Sequence, residues 1–287
     1  MTNQDVNKPK IEVVVNPKFE KEHENNARDG FDPVGDHVEE EHVDGKRVPR
    51  RGIYLLPNLF TTGALFAGFF AVISAMNGHF ENASIAIYVA MILDGLDGRV
   101  ARLTNTQSAF GAEYDSLADM VSFGVAPSLV VFSWALDELG KFGWAAAFIY
   151  VACAALRLAR FNTQISKADK RYFTGLASPA AAAVVAGMVW LLSADGRVPP
   201  TWMAVLAGLV TIVTGALMIT NISYHSFKGL DLKGRVPFMN MLLVILVFVV
   251  ILLNPPLVLL AGFVAYALSG PVIFVVRQSR KTSRNQE

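Results

Sequence analysis

Five of the twelve acidic residues beyond position 50 fall within one short stretch: Asp94, Asp97, Glu113, Asp115 and Asp119. The local text reads D-G-L-D-G-R-V-A-R from Asp94 to Arg102, then eight residues, then G-A-E-Y-D-S-L-A-D from Gly111 to Asp119. Asp94 and Asp97 are three apart and Asp115 and Asp119 four apart, so each pair shares one face of a helix. A carboxylate inside a membrane helix costs about 3 kcal/mol on insertion scales, and four uncompensated ones approach a domain's whole stability of about 5 to 15 kcal/mol. Something cationic must offset them. Hard divalent ions such as Mg²⁺, Mn²⁺ or Ca²⁺ suit an all-carboxylate shell, and four converging aspartates suffice for two metals. Asp94 and Asp97 do not have the D-x-D-x-D-G spacing of a calcium EF-hand. Gly98 lacks a side chain and Arg102 follows four residues on, which leaves room for a pyrophosphate beneath a guanidinium. A carboxylate relay in an ion-coupled transporter accounts for acids in a membrane, but not for two glycines and an arginine at these offsets.

The elements that carry these residues are apolar. After Arg51 the chain becomes a series of segments of roughly the length that crosses a hydrocarbon core of about 30 Å. Eight are counted, approximately Leu59–Met76, Ala83–Arg102, Leu117–Leu136, Trp144–Leu158, Ala177–Leu192, Trp202–Ile219, Phe238–Leu253 and Pro256–Val276. The second is apolar only as far as Leu93. With the N-terminus in the cytoplasm, 18 lysines and arginines flank the inner ends and only Lys141 and Arg197 the outer ones, as positively charged cytoplasmic loops require. Asp94 and Asp97 then end one span where Asp115 and Asp119 begin the next, at the same membrane depth. Pro127 and Pro271 lie within spans and are expected to bend them, with neighbours satisfying the freed carbonyls. The small residues Ala180–Ala183, Ala186 and Gly187 permit close helix packing. Trp134, Trp144 and Trp202 flank outer loops, where an interfacial aromatic belt is expected.

Composition agrees with a membrane protein: 53% of the 287 residues are hydrophobic and 17% charged, against about 25% charged in soluble domains. A net charge of +1 gives no reason to expect nucleic-acid binding, and the single cysteine, Cys153, excludes a disulfide framework and reads as a packing residue. His79 and His225 have no ligand-spaced companions. Residues 1–45 hold half of all the acids and are expected to form a disordered cytoplasmic tail, with Ile11–Val15 the one stretch suited to a strand or a partner.

The string Asp94, Gly95, Asp97, Gly98, Ala101, Arg102, Gly111, Asp115 and Asp119, within 26 positions, closely resembles the signature of the CDP-alcohol phosphatidyltransferase family. Further segments resemble the branch that uses L-serine as acceptor: Pro57-Asn58 with Thr61, Ser116 to Pro127, Arg157 to Asn162, Gly175 to Pro179 and Tyr224 to Lys228.

The resemblance implies an all-α polytopic transmembrane bundle with a six-helix catalytic core at 46–225; the count of eight departs from that core, so the last two segments are expected to form an additional transmembrane pair at 226–276 outside the active site, followed by a basic tail at 277–287. Both termini would face the cytoplasm. It implies an enzyme in which an alcohol hydroxyl displaces CMP from CDP-diacylglycerol, with L-serine, or else glycerol 3-phosphate, inositol phosphate or choline, as acceptor. Asp94, Asp97, Asp115 and Asp119 would hold two divalent cations, Mg²⁺ or Mn²⁺, and Asp119 would also be the general base. Asn58, Thr61, Gly98, Arg102 and Ser108 would bind CDP-diacylglycerol, although Ser108 equally suits a helix N-cap. Arg157, Arg160 and Ser178 are candidates for the serine carboxylate, and the two arginines, like Lys228, equally suit a cytoplasmic helix end. The resemblance also implies a homodimer, and this chain is expected in the inner membrane with its active site facing the cytoplasm. A non-catalytic nucleotide-binding protein would have no need of Asp119.

Overall fold

Each of the eight apolar segments becomes a helical passage. The computed structural model describes residues 40–43, 46–49, 55–104, 108–164, 172–193, 199–225 and 238–284. Helix α1 (Leu55–Met76) turns into α2 (Phe80–Thr104) through a tight cap. Gly78 adopts φ +76°, its N–H reaches Ala75 O and that of His79 reaches Ser74 O, which satisfies the last carbonyls of α1 in the Schellman manner. The third passage is composite: α3 (Ala109–Asp119), a π-helical turn (Met120–Val125) and α4 (Ala126–Trp134). Then come α5 (Lys141–Gln164), α6 (Ser178–Leu192), α7 (Thr201–Ile219), α8 (Phe238–Leu253) and α9 (Pro255–Arg284). Five stretches are long and apolar enough to cross a membrane unaided: 57–76, 110–134, 141–163, 201–219 and 255–274. Helix α6 has 15 residues and α8 has 16, while α2 carries the aspartates at its end. The chain is an all-α polytopic membrane bundle.

Small residues let α6 sit at the centre. Ala180 through Gly187 are buried, and the Tyr88 hydroxyl of α2 donates to Ala183 O at 2.8 Å. A methyl group at Gly187 would come within 2.6 Å of that hydroxyl, so the close approach needs glycine. Outward faces carry Phe66, Phe69, Phe148, Leu209 and Leu252, all exposed, as lipid contact requires.

Both in-span prolines sit opposite a buried tyrosine. Proline brings no N–H to the helical ladder and crowds the carbonyl four residues earlier. For Pro127 that carbonyl is Phe123 O, which accepts from Tyr150 Oη of α5 at 3.1 Å. For Pro271 it is Ala267 O, which accepts from Tyr224 Oη at 3.0 Å. The expected neighbours are thus identified, one for each break.

Two short ladders join connecting segments. Strands β1 (Glu40–Val43) and β2 (Lys46–Pro49) pair antiparallel, with Glu41 opposite Val48, at the end of the acidic segment that composition reads as having no element. They belong to a unit, Met1–Arg51, separate from Gly52–Glu287. Strands β3 (Tyr172–Thr174) and β4 (Ser223–His225) link the approach to α6 with the exit of α7. Gly175 comes directly after β3 with φ +83°, and a Cβ there would collide with Met218 O.

The expectation of an interfacial belt fails for one of its three tryptophans. Trp144 and Trp202 are exposed at helix starts, whereas Trp134 is buried, because the chain tucks Ala135 and Leu136 back into the core there instead of running out to an interface. Ile11–Val15 and the loop cations Lys167, Lys170, Arg171, Arg197 and Lys228 lie outside the described residues.

Candidate active site

Five helix ends meet at one end of the bundle, and cross-helix hydrogen bonds fix them. Thr61 Oγ1 of α1 donates to Asp97 Oδ2 of α2 at 2.7 Å. Tyr114 Oη of α3 lies 2.9 Å from Thr62 Oγ1, which donates to Asn58 O at 2.7 Å. Ser116 of α3 is bonded by Asn162 Nδ2 of α5 at 3.1 Å. Arg157 Nη1 of α5 donates to Ser178 Oγ at the start of α6.

Within this frame Asp94, Asp97 and Asp115 each offer a carboxylate oxygen, all within 4.8 Å of one another. Among the described residues it is the group of acidic, histidine or cysteine side chains arranged to hold a metal ion. Asp119 stands one turn beyond Asp115, within hydrogen-bond reach of Asp94. Two carboxylates so placed repel unless a proton or cation lies between them. Asp115 Oδ1 and Asp119 Oδ1 are buried without a hydrogen-bond partner, and among the described residues they are the carboxylate oxygens so left, the other unpartnered buried atoms being Ser84 Oγ, Trp134 Nε1 and Ser193 Oγ. Hard oxygen donors, two of them orphaned, fit a divalent cation. Arg157 lies within electrostatic reach of both Asp119 and Asp94, so one fixed positive charge already backs the cluster.

A cleft of about 270 Å³ opens beside the aspartates, lined by Asn58, Thr61, Asp97, Gly98, Arg102, Ser108, Gly111 and Asp115 among others. All five residues expected to bind the nucleotide therefore border a single space, next to two of the metal-ligand candidates. Gly98 faces open space, where a Cβ would meet nothing within 4 Å, and Arg102 Nε donates back to Gly98 O at 2.7 Å across one turn. Ser108 also caps α3: its Oγ accepts from Gly111 N at 2.9 Å. A Cβ on Gly111 would stand 3.0 Å from that Oγ and 3.5 Å from Asn58 Oδ1, so glycine keeps the cleft wall thin.

A model of the CDP-alcohol phosphatidyltransferase domain matches residues 54–219, which contain the whole of this cleft and cluster. The chain belongs to the CDP-alcohol phosphatidyltransferase family. Its relatives include proteins named CDP-diacylglycerol–serine O-phosphatidyltransferase. That of Helicobacter pylori J99 is 39% identical over 202 residues, covering 70% of this chain and 85% of the relative. That of Mycobacterium bovis is 33% identical over 255 residues, covering 85% and 86%. That of Saccharomyces cerevisiae is 38% identical over 139 residues, covering 44% and 50%.

The remaining candidates divide. Arg157 and Ser178 meet at the aspartates, whereas Arg160 turns to the exit of α7, donating to Asn221 Oδ1 at 2.6 Å and to Ile219 O at 3.4 Å. That is a helix C-terminal role, which its position at a helix end had equally suggested. Sequence reasoning assigned no role to Tyr114, Ser116, Tyr150, Asn162 or Tyr266. Ser116 and Asn162 lie inside the segments that carry the family resemblance, so a signal existed for them. Tyr266 carried none: it belongs to α9, in the pair expected to stand apart, yet it lies within electrostatic reach of Arg157.

Proposed function

We propose that this phosphatidyltransferase moves the phosphatidyl group of CDP-diacylglycerol to the hydroxyl of L-serine, giving phosphatidylserine and CMP. The observation that carries the reading is the single cleft that joins Asn58, Gly98, Arg102 and Ser108 to the carboxylates of Asp97 and Asp115. Serine as acceptor is supported by the names of relatives that this chain matches over most of their length.

In this reading the serine oxygen attacks the lipid-bearing phosphorus, the bond to the CMP phosphate breaks, and Asp119 takes the hydroxyl proton. Asp94, Asp97, Asp115 and Asp119 would hold two divalent cations, Mg²⁺ or Mn²⁺, whose chemistry would be to neutralise charge on the pyrophosphate and on the leaving CMP. Thr61 fixes Asp97 so that one of its oxygens stays aimed at the cluster. Arg102 and Ser108 hold the nucleotide diphosphate, and the open flank of Gly98 lets it approach the backbone. Arg157, already paired with Ser178, receives the serine carboxylate while its charge steadies Asp119. The placement of cations along the sequence supports an active site on the cytoplasmic face of the inner membrane. The family resemblance supports a homodimer as the working form.

The test is CMP release by the purified protein in detergent micelles containing CDP-diacylglycerol and Mn²⁺ or Mg²⁺, with serine, glycerol 3-phosphate, inositol phosphate or choline supplied separately. Release with serine alone, abolished by EDTA and by Asp119→Asn, is expected. Release with another acceptor instead would overturn the choice of serine, and release undiminished by EDTA would overturn the role of the carboxylates.

A further inference from the structure

Asp119 leads directly into the π-helical turn Met120–Val125, in which the Ala126 N–H reaches back five residues to Val121 O. One extra residue in a helical turn rotates the helix on its N-terminal side by about 100° relative to the helix on its C-terminal side. Asp115 and Asp119 lie before the turn, and the body of α4 lies after it. Closed to regular helix, the same sequence would carry both carboxylates off the face they share with Asp94 and Asp97.

The turn is held open from two sides. Pro127 crowds the Phe123 carbonyl and offers it no N–H, and Tyr150 of α5, fully buried, donates its hydroxyl to that carbonyl at 3.1 Å. From α1, Ala64 O accepts from Ser122 Oγ at 3.0 Å. The backbone of α1 comes close there because position 68 is glycine: a Cβ would stand 2.7 Å from Ser122 Oγ. Gly124 packs in turn against Ala154 of α5.

We propose that Tyr150 is a positioning residue for Asp119: its bond to the Phe123 carbonyl holds the π-helical turn open, and the turn sets the angle at which Asp119 and Asp115 meet Asp94. The inference rests on the roles given above to Asp119 and its neighbours. Tyr150 touches neither substrate nor metal in this scheme. Its hydroxyl acts through the backbone, on a carbonyl one turn from Asp119.

A control lies in the same helix pair. Ser128 Oγ of α4 donates to Ala147 O of α5 at 2.9 Å, a buried hydroxyl-to-carbonyl bond like that of Tyr150 but beyond the turn. The full-length protein in detergent micelles is compared as wild type, Tyr150→Phe, Ser122→Ala and Ser128→Ala. Three quantities are read: kcat and KM for CDP-diacylglycerol from CMP release, Mn²⁺ binding without substrate from the electron paramagnetic resonance of the free ion, and the melting temperature. Tyr150→Phe and Ser122→Ala are each expected to lower kcat and Mn²⁺ affinity about tenfold, the scale of one buried hydrogen bond, with KM little changed. Ser128→Ala is expected to lower the melting temperature alone. If Tyr150→Phe keeps wild-type kcat and Mn²⁺ affinity, or if Ser128→Ala lowers both as much, the proposal is overturned. Should Tyr150→Phe fail to fold, Ser122→Ala decides by the same criteria. A wild type that binds Mn²⁺ but releases no CMP would refute the reaction, while the Mn²⁺ comparison would still decide the positioning role.

Discussion

Thr61 illustrates how one side chain serves two purposes here. It borders the cleft, and its hydroxyl ties down Asp97 Oδ2 at 2.7 Å. A hydrogen bond to a charged group is worth about 1.5 to 3 kcal/mol, so Thr61→Val is expected to raise the Mn²⁺ concentration for half-maximal CMP release by about 10- to 100-fold. Gly111→Ala acts differently, since its new methyl would press on Ser108 Oγ and Asn58 Oδ1 in the cleft wall. That variant should raise KM for CDP-diacylglycerol while Mn²⁺ binding stays as it was, and steady-state kinetics beside a Mn²⁺ titration would show the split. At this scale the sequence was largely readable, because i to i+3 and i to i+4 spacing already put each aspartate pair on one helix face. Arg160 was not readable in the same way. A cation at a helix end looks the same in sequence whether it meets a substrate carboxylate or, as here, the last carbonyl of a neighbouring helix.

At the level of elements, the two proline breaks are the features that periodicity does not show. Pro127 and Pro271 announce that a carbonyl will be freed, but the tyrosines that satisfy them lie 27 and 43 residues from their acceptors, on other elements. Only the tertiary fold pairs them. Tyr224→Phe removes the donor to Ala267 O and leaves a buried carbonyl unsatisfied, at a cost of about 1 to 3 kcal/mol measurable by thermal unfolding in micelles. Burial pushes the Tyr224 hydroxyl up from 10.0 to about 12. Between those values the unfolded chain gives up a proton that the folded one keeps, so this residue's share of stability is whole below pH 10 and falls as pH rises toward 12. In Tyr224→Phe that alkaline loss should be smaller, which unfolding at about pH 9 and about pH 11 would reveal. Gly270 faces the same ring, and a methyl group there would overlap it, so Gly270→Ala should destabilise the protein further.

For the whole molecule, the asymmetry of lysines and arginines makes a directional prediction. Cys153 is buried, so the chain carries no exposed thiol of its own and single cysteines can report sidedness. His79→Cys, in the exposed turn after α1, is expected to react with a membrane-impermeant maleimide in intact spheroplasts, and Thr104→Cys, exposed at the last residue of α2, only after lysis. The reverse pattern would invert the topology. Eight apolar segments could be counted in the sequence because lipid demands apolar length. Their mutual arrangement could not, since small residues such as Ala180–Gly187 say that helices approach closely without saying which ones. The burial of Trp134 escaped for the same reason: a tryptophan at a span's end suits an interface or a core equally, and the backward tuck at Leu136 decides for the core.

Leu103 directly follows Arg102 of the cleft lining and Phe110 directly precedes Gly111, and both are exposed, Leu103 to 85%. Apolar side chains beside a polar recess give a diacylglycerol tail somewhere to rest while its head group enters. In the proposed reaction the lipid therefore need never leave its leaflet, and the enzyme's search for it takes place in two dimensions. Turnover should track the mole fraction of CDP-diacylglycerol in the micelle surface: adding inert detergent at constant bulk substrate should slow the enzyme, whereas adding substrate and detergent together in fixed proportion should not change its rate once the protein is fully incorporated.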